Sequence, residues 1–335
     1  MTTAHSPLSF STRIAHDADL HASFISGWQQ DYAQLSCGRY FGRLDEVCTG
    51  RVQLFCEYAS CETWQQCRPA PGRIWFGLPA PGSGASLRFA GQEVAPDSVL
   101  ICPGGDEFFL RTPPAFTIGG MVVEQDLLEA CCLVRYGHAL PPLWRQSGSL
   151  TLTPVACRQL EQSLARYLDA ARSQPEQLLS DKWQWQLADI LLQALATGTH
   201  APAKRRSHLG WVEQTCRWAR VPDAPVASVD SLCQRLHVTR RTLQNGFHQA
   251  AAISPLGMLR ALRLGEVRRA LSSTQHAGQS IQDLALAWGF GSASQFGQDY
   301  RRQFGETPSQ TRQAMRQDKQ QANADALPAK IGITI

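Results

Sequence analysis

The sequence predicts two domains of different class: an N-terminal α+β domain built on a small antiparallel barrel with flanking helices, and a C-terminal all-α domain with two helix-turn-helix units. Three observations carry that reading. The chain has 335 residues, enough for about two domains with cores of their own. Its grammar then changes along its length: from about 43 to 124 short β-branched and aromatic runs alternate with Pro/Gly breaks, whereas beyond 207 apolar residues recur at helical spacing. Charge divides in the same way. Residues 204–317 hold 16 Lys/Arg against 7 Asp/Glu, residues 1–203 hold 14 against 19, and residues 318–335 are balanced at 2 and 2. A basic unit joined to an acidic one reserves a polyanionic partner for the C-terminal unit.

Taken in order, residues 1–20 are polar and read as disordered, and a short helix-like segment follows over 21–36. Strand-like runs come next at 52–55, 73–78, 86–89, 98–102, 107–110 and 116–123. Breaks such as Pro69-Ala70-Pro71-Gly72 and Pro103-Gly104-Gly105 separate them. Many short strands with regular turn signals indicate a small antiparallel barrel, cupin-like, or a sandwich over 43–124. Helical patterns follow at 124–136, 154–171 and 178–197; in the last, Trp183, Leu187, Ile190, Leu191 and Leu195 share one wide stripe. The last two helices have two roles open to them, packing on the barrel or forming a dimer interface. Residues 21–197 are thus read as a sensing and dimerisation domain. Residues 198–207, with Lys204-Arg205-Arg206, read as a linker.

The basic domain spans 208–317 and opens with a helix over 209–221. Its two helix-turn-helix patterns lie at 228–250 and 280–304. Overlaid, Leu232 meets Leu284 and Leu236 meets Trp288, an offset of 52; Leu243 meets Phe296 and Phe247 meets Tyr300, an offset of 53. The second turn therefore carries one extra residue. Ser228, Thr239, Ser280 and Ser292 are suited to cap the four helices, with Asp283 completing a capping-box-like pair with Ser280. Gly289 suits a turn needing positive φ, and His237 fills the same slot at some cost. Ser254-Pro255 starts a connecting helix to about Leu271 that would hold the units at a fixed separation. Thr307-Pro308 starts a short last helix, and residues 318–335 read as a frayed tail.

The same residues argue against catalysis. None of the nine histidines lies between 22 and 137, where the strands are, which disfavours a His-based metal site in the barrel. Cys56, Cys61 and Cys67 are too unevenly spaced to suggest zinc. The eleven cysteines, an odd number scattered without close CxxC pairs, do not read as a disulfide framework. No nucleophile–base pair is visible, and the expectation is that the chain is not an enzyme. With no signal-like N-terminus and no apolar run near the roughly 20 residues of a membrane helix, a cytoplasmic protein is expected.

The order of these parts resembles the AraC/XylS family of transcription regulators. The most specific words lie in the second unit: Ala287-Trp288-Gly289-Phe290-Gly291-Ser292, Phe296, Tyr300, Phe304-Gly305 and Thr307-Pro308. Gln310 and Thr311 stand where the family has an aromatic residue. Four further words, Trp28-Gln29-Gln30-Asp31-Tyr32-Ala33-Gln34-Leu35, Trp75-Phe76-Gly77-Leu78-Pro79, Cys102-Pro103-Gly104-Gly105-Asp106-Glu107-Phe108 and Thr242-Leu243-Gln244-Asn245-Gly246-Phe247-His248, are similar to regulators of bacterial ethanolamine-utilisation operons. That resemblance implies a transcription activator answering to ethanolamine, with adenosylcobalamin as co-effector. Asp19-Leu20-His21 begins a cobalamin-protein pattern, but Phe24 replaces its glycine. The implied partners are operator DNA, a small effector, RNA polymerase and a second copy of the chain. A regulator of another metabolite, or a repair or architectural protein without inducer, remains open.

A helix fits the major groove and reads base edges with its outward side chains. In the first unit Leu243 and Phe247 face the core, leaving Arg240, Arg241, Gln244 and Asn245 outward. The family resemblance places Arg241, Gln244 and Asn245 at base-contacting positions. In the second unit Ser294, Gln295 and Gln298 face outward; they are short and neutral, so degenerate readout is expected there and the first unit should dominate sequence choice. Arg240, Arg301 and Arg302 are expected on phosphates. For the effector, Trp75 and Phe76 are candidate pocket aromatics, and Asp106 and Glu107 candidate carboxylates for an amine.

Overall fold

The computed structural model describes residues 9–80, 87–174, 180–202, 207–221 and 228–325. The N-terminal part holds two antiparallel sheets. Eight strands form the larger: β1 (Ser9–Ala15), β3 (Gly42–Thr49), β4 (Val52–Ala59), β6 (Arg73–Pro79), β9 (Ser98–Pro103), β11 (Phe116–Glu124), β12 (Gly148–Thr151) and β13 (Thr199–Pro202), in the spatial order 1-3-4-11-6-9-12-13. The smaller sheet runs β2 (Gln29–Gln34), β5 (Thr63–Arg68), β10 (Phe108–Thr112), β7 (Arg88–Phe89) and β8 (Gln92–Glu93). No hydrogen-bonded ladder joins one sheet to the other among the described residues, so the expected closed barrel is corrected to a two-sheet arrangement. The reason is visible in the alternation of side chains. Strands β4, β6, β9 and β11 bury residues on both faces, which a sheet covered on two sides requires.

One face carries Leu54, Ile74, Phe76, Val99, Ile101, Met121 and Val123 and packs beneath three helices. These are α2 (Gln125–Tyr136), α3 (Pro154–Ser173) and α4 (Asp181–Leu195). Leu187, Leu191 and Leu195 of α4 are buried in that layer, so the apolar stripe read from the sequence serves packing on the sheet. The opposite face, with Phe55, Trp75, Leu100, Ile118 and Val122, meets Tyr32, Cys67, Phe108 and Leu110 of the smaller sheet.

Four boundaries differ from expectation. The last helix, expected to be short, runs Pro308–Asp325 and takes in 318–325 of the stretch read as a frayed tail. Residues 9–22, read mostly as disordered, contain β1, paired with β3 along its whole length, and the short helix α1 (Ala18–Ala22), capped by Asp17. The run 29–34, read as helix, is strand β2 paired with β5; its Tyr32 and Ala33 are buried on opposite faces, a period of two that a half-helical word concealed. Part of the linker, 199–202, is β13, paired with β12. Residues 203–206 and 326–335, and the disordered reading of 1–8, lie outside the described residues.

The outer face of the smaller sheet, Ala33, Trp64 and Phe109, shares a core with the C-terminal helices. These are α5 (Ser207–Ala219), α6 (Val229–Leu236), α7 (Arg240–Ala251), α8 (Pro255–Ser272), α9 (Ile281–Ala287), α10 (Ala293–Phe304) and α11 (Pro308–Asp325). Helix α8 belongs to two clusters. Met258, Leu259 and Leu262 join α5, α6 and α7, whereas Leu264, Val267 and Leu271 join α9 and α10. It is a strut buried around most of its circumference, which is why its sequence lacks one clean polar face.

Candidate nucleic-acid interface

Two helix pairs, α6–α7 and α9–α10, repeat the same local chemistry. Ser228, Thr239, Ser280 and Ser292 each accept a backbone N–H three residues on, satisfying a donor that the helix start leaves open. Ser280 also donates to Asp283 at 2.6 Å. The turn of the first pair places His237 at φ 54°, and that of the second places Gly289 at φ 82°. Positive φ is costly for a residue with a Cβ, and His is among those that tolerate it. Leu232, Leu243 and Phe247 fill the first core; Leu284, Phe296 and Tyr300 fill the second. The spacing read as two copies is thus two packed pairs on one strut.

The faces turned away from these cores carry the expected residues. Arg241, Gln244 and Asn245 are exposed on α7 and have no hydrogen-bond partner among the described residues. Arg240 is also exposed, and its guanidinium donates to Asp230 at 2.9 Å. On α10, Ser294, Gln295, Gln298, Arg301 and Arg302 are exposed. Two of these are already engaged: Gln295 Nε2 donates to Asp299 Oδ1 at 2.9 Å, and Arg302 lies 3.4 Å from the same oxygen. Asp299 is 5% exposed and pairs also with Arg260 of α8. The sequence reading missed Asp299. The available signal was its place one helical turn beyond Gln295, the i,i+4 spacing at which amide and carboxylate meet.

The clamp between the domains was also missed. Arg220 reaches Asp31 at 2.5 Å, and Arg269 bridges Asp19 at 2.5 Å and Glu266 at 2.6 Å. Burial raises the Asp19 and Glu266 carboxyls above the usual range, against the opposing pull of Arg269. Burial lowers Arg269 itself, but Asp19 and Glu266 more than offset it and hold its proton tightly. Gln34 and Gln303 exchange amide hydrogen bonds with each other's backbone carbonyls at 2.9 and 2.8 Å, and Gly38 N–H also donates to the Gln303 carbonyl. These partners lie 269 residues apart for the glutamine pair, a separation that no local pattern announces.

The four effector candidates are not brought together. Trp75 is 2% exposed and stacks on Phe108, with centroids 4.6 Å apart and planes within 5°, between the sheets. Phe76, one residue on, faces the opposite way under the helices. Asp106 and Glu107 lie exposed on the β9–β10 turn, where Glu107 accepts from Gln66 at 2.8 Å. Polar groups between the sheets lie elsewhere. Gln30 Nε2 donates to the Tyr32 hydroxyl, which donates to Glu57 Oε1 at 2.9 Å; His21 Nε2 lies 3.4 Å from that oxygen and its Nδ1 2.6 Å from the Tyr40 hydroxyl. Burial pushes Glu57 up, with His21 pulling it back. Trp75 Nε1 and Gln30 Oε1 are buried without a hydrogen-bond partner among the described residues. His21 is fully buried with both ring nitrogens turned to these neighbours, so it does not fit the role of cobalt ligand for a corrin.

Residues 232–314 match the helix-turn-helix domain family. The regulatory protein HrpB of Ralstonia nicotianae is 38% identical over 76 residues, covering 23% of this chain and 16% of its own length. The HTH-type transcriptional activator RhaS of Pectobacterium carotovorum subsp. carotovorum is 26% identical over 192 residues, covering 56% of this chain and 63% of its own. This chain thus spans less than two thirds of either relative. A solved transcriptional regulator of Chromobacterium violaceum, described as having an AraC-type DNA-binding domain, aligns with 32% of this chain and 94% of its own at 28% identity, with a TM-score of 0.29. All three are named as regulators. Residues 232–314 are thus similar to a helix-turn-helix domain, and the relatives that this chain resembles are named as a regulatory protein, a transcriptional activator and a transcriptional regulator with an AraC-type DNA-binding domain.

Proposed function

We propose that the chain is a sequence-specific DNA-binding transcription regulator, an activator, in which α6–α7 and α9–α10 are two helix-turn-helix units entering neighbouring major grooves. One observation carries this reading: two capped helix pairs on a single strut each turn an unburied polar or basic stripe outward, within the one basic part of the chain. Arg241, Gln244 and Asn245 read bases from α7, and Ser294, Gln295 and Gln298 from α10. Arg240, Arg301 and Arg302 contact phosphates, positioning without specifying. The domain boundaries that go with it are a sensing part to about 197 and a DNA-binding part over 208–317.

The sheet-rich part is the effector sensor in this reading. Its support is a buried carboxylate, Glu57, and two polar atoms without a partner among the described residues, Trp75 Nε1 and Gln30 Oε1, within the mixed aliphatic and aromatic core between the sheets. Buried polar atoms without partners are rare, and a ligand is one way to satisfy them. Ethanolamine, an amine that Glu57 would suit, is the first effector to test, alone and with adenosylcobalamin. RNA polymerase and a second copy of the chain are the further partners. For the latter, exposed Val134 of α2 lies beside Trp185 of α4. Selection of bound duplexes from a random pool, with and without ethanolamine and adenosylcobalamin, tests the whole reading. One selected operator whose occupancy responds to effector is expected; enrichment of no sequence would overturn it.

A further inference from the structure

The second helix pair has short outward side chains, which suggests degenerate readout, yet one of them is not free to rotate. Gln295 Nε2 donates to Asp299 Oδ1 at 2.9 Å, one turn along α10. Asp299 is 5% exposed and is itself held from two sides, by Arg260 of α8 and by Arg302 at 3.4 Å. We propose that Asp299 is a positioning residue for base recognition, fixing the Gln295 amide so that the second pair reads one adenine specifically. This rests on the DNA-binding reading above.

The argument is one of hydrogen-bond valence. An ionised carboxylate only accepts, so it holds the NH₂ end of the Gln295 amide and forbids the flipped amide, which would set oxygen against oxygen. One N–H of the amide is used by Asp299. When Asp299 takes the N–H anti to the carbonyl, the carbonyl oxygen and the syn N–H remain, side by side and in a fixed order. That acceptor–donor pair complements the N6 amine and N7 of adenine in the major groove. A free glutamine must freeze several torsions and choose between two amide orientations when it meets a base; Gln295 has made both choices in the absence of DNA. Arg260 and Arg302 keep the carboxylate from turning toward solvent, and they offset the cost of its burial. Gln298, also exposed on α10, has no such partner among the described residues.

The test uses the full chain and an operator selected by the wild type, with each base of the half-site bound by α10 varied in turn. Gln295→Ala, Asp299→Ala and the double variant are compared by competition binding, with thermal unfolding of each. Expected is an about tenfold loss of preference for adenine at a single position in both single variants, no further loss in the double, and unchanged preferences in the other half-site. A merely structural aspartate would instead lower affinity for every duplex alike and lower the unfolding temperature, and either that or an unchanged preference overturns the proposal. Should Asp299→Ala not fold, Asp299→Asn keeps the shape and one acceptor oxygen; a smaller loss at the same position supports the proposal, and no loss there overturns it. If the wild type selects no operator at all, the DNA-binding reading fails first and this inference with it, a result distinct from selection that ignores Asp299.

Discussion

Arg241 stands exposed on α7 with no partner among the described residues, whereas Arg240 beside it is tied to Asp230. The proposed roles follow that difference: a guanidinium without a carboxylate partner can make a bidentate contact with guanine, and one shared with a carboxylate is better placed along the backbone. Arg241→Ala is expected to cost about 1–3 kcal/mol of specific binding and to relax one base position, read by competition against single-base operator variants. Arg301→Ala should weaken all duplexes alike and lower the salt slope of binding by about 0.9. Glu57 yields a prediction about pH. Its folded carboxyl is held above its unfolded value, chiefly by burial, so its contribution to stability is present at low pH and is lost as pH rises through the folded value. Relative to the wild type, Glu57→Gln should gain stability as pH rises from about 4 toward neutrality, measured as the difference in urea midpoints. These outward and inward assignments follow from helical periodicity for Arg241 and Gln244. For Glu57 they do not, because a carboxylate on a strand reads as solvent-facing unless its cross-sheet partners are known.

At the scale of elements, caps and turns were the most legible. Ser228, Thr239, Ser280 and Ser292 are short-range signals, and each does what its position announces. Gly289 adopts φ 82° and faces the Arg263 side chain at 3.4 Å from where a Cβ would lie. Gly289→Ala should destabilise the domain by about 1 kcal/mol through the left-handed backbone, visible as a lowered urea midpoint. The strut α8 was legible as a helix from Ser254-Pro255, but its double membership in two cores was not, since burial on several sides erases periodicity. Leu262→Ala there should cost about 2–5 kcal/mol and lower the melting temperature of the domain. Strand β2 was misread although only Gln29 and Gln30 of Trp28-Gln29-Gln30-Asp31-Tyr32 are good helix formers. Its fate is decided by pairing with β5, a non-local effect that overrides propensity.

For the whole molecule the layering explains how a sensor could speak to a reader. Strands β2, β5 and β10 show one face to the core between the sheets and the other to the C-terminal helices, so Tyr32 and Ala33 belong to different cores. A change among Tyr32, Glu57 and His21 therefore lies one residue away from the helices' packing surface. The Gln34–Gln303 exchange fastens the end of α10 to that strand. Gln303→Ala should speed amide exchange over 34–38 and at the end of α10 while leaving α7 protected, measured by hydrogen exchange. Two domains were legible from charge and periodicity; their joint was not, because its partners are hundreds of residues apart. The closed barrel was misjudged for a related reason: strand runs and turns are local, but whether a sheet closes depends on which edges pair.

In the proposed function two unequal units on one strut read neighbouring major grooves. Hydroxyl-radical footprinting of the full chain on its selected operator tests it most directly. Two protected segments are expected on one face of the duplex, about one helical turn or 34 Å apart, with the segment under α7 weakened by Arg241→Ala and the other by Gln295→Ala. A single protected segment, or two that respond together to either substitution, would contradict it.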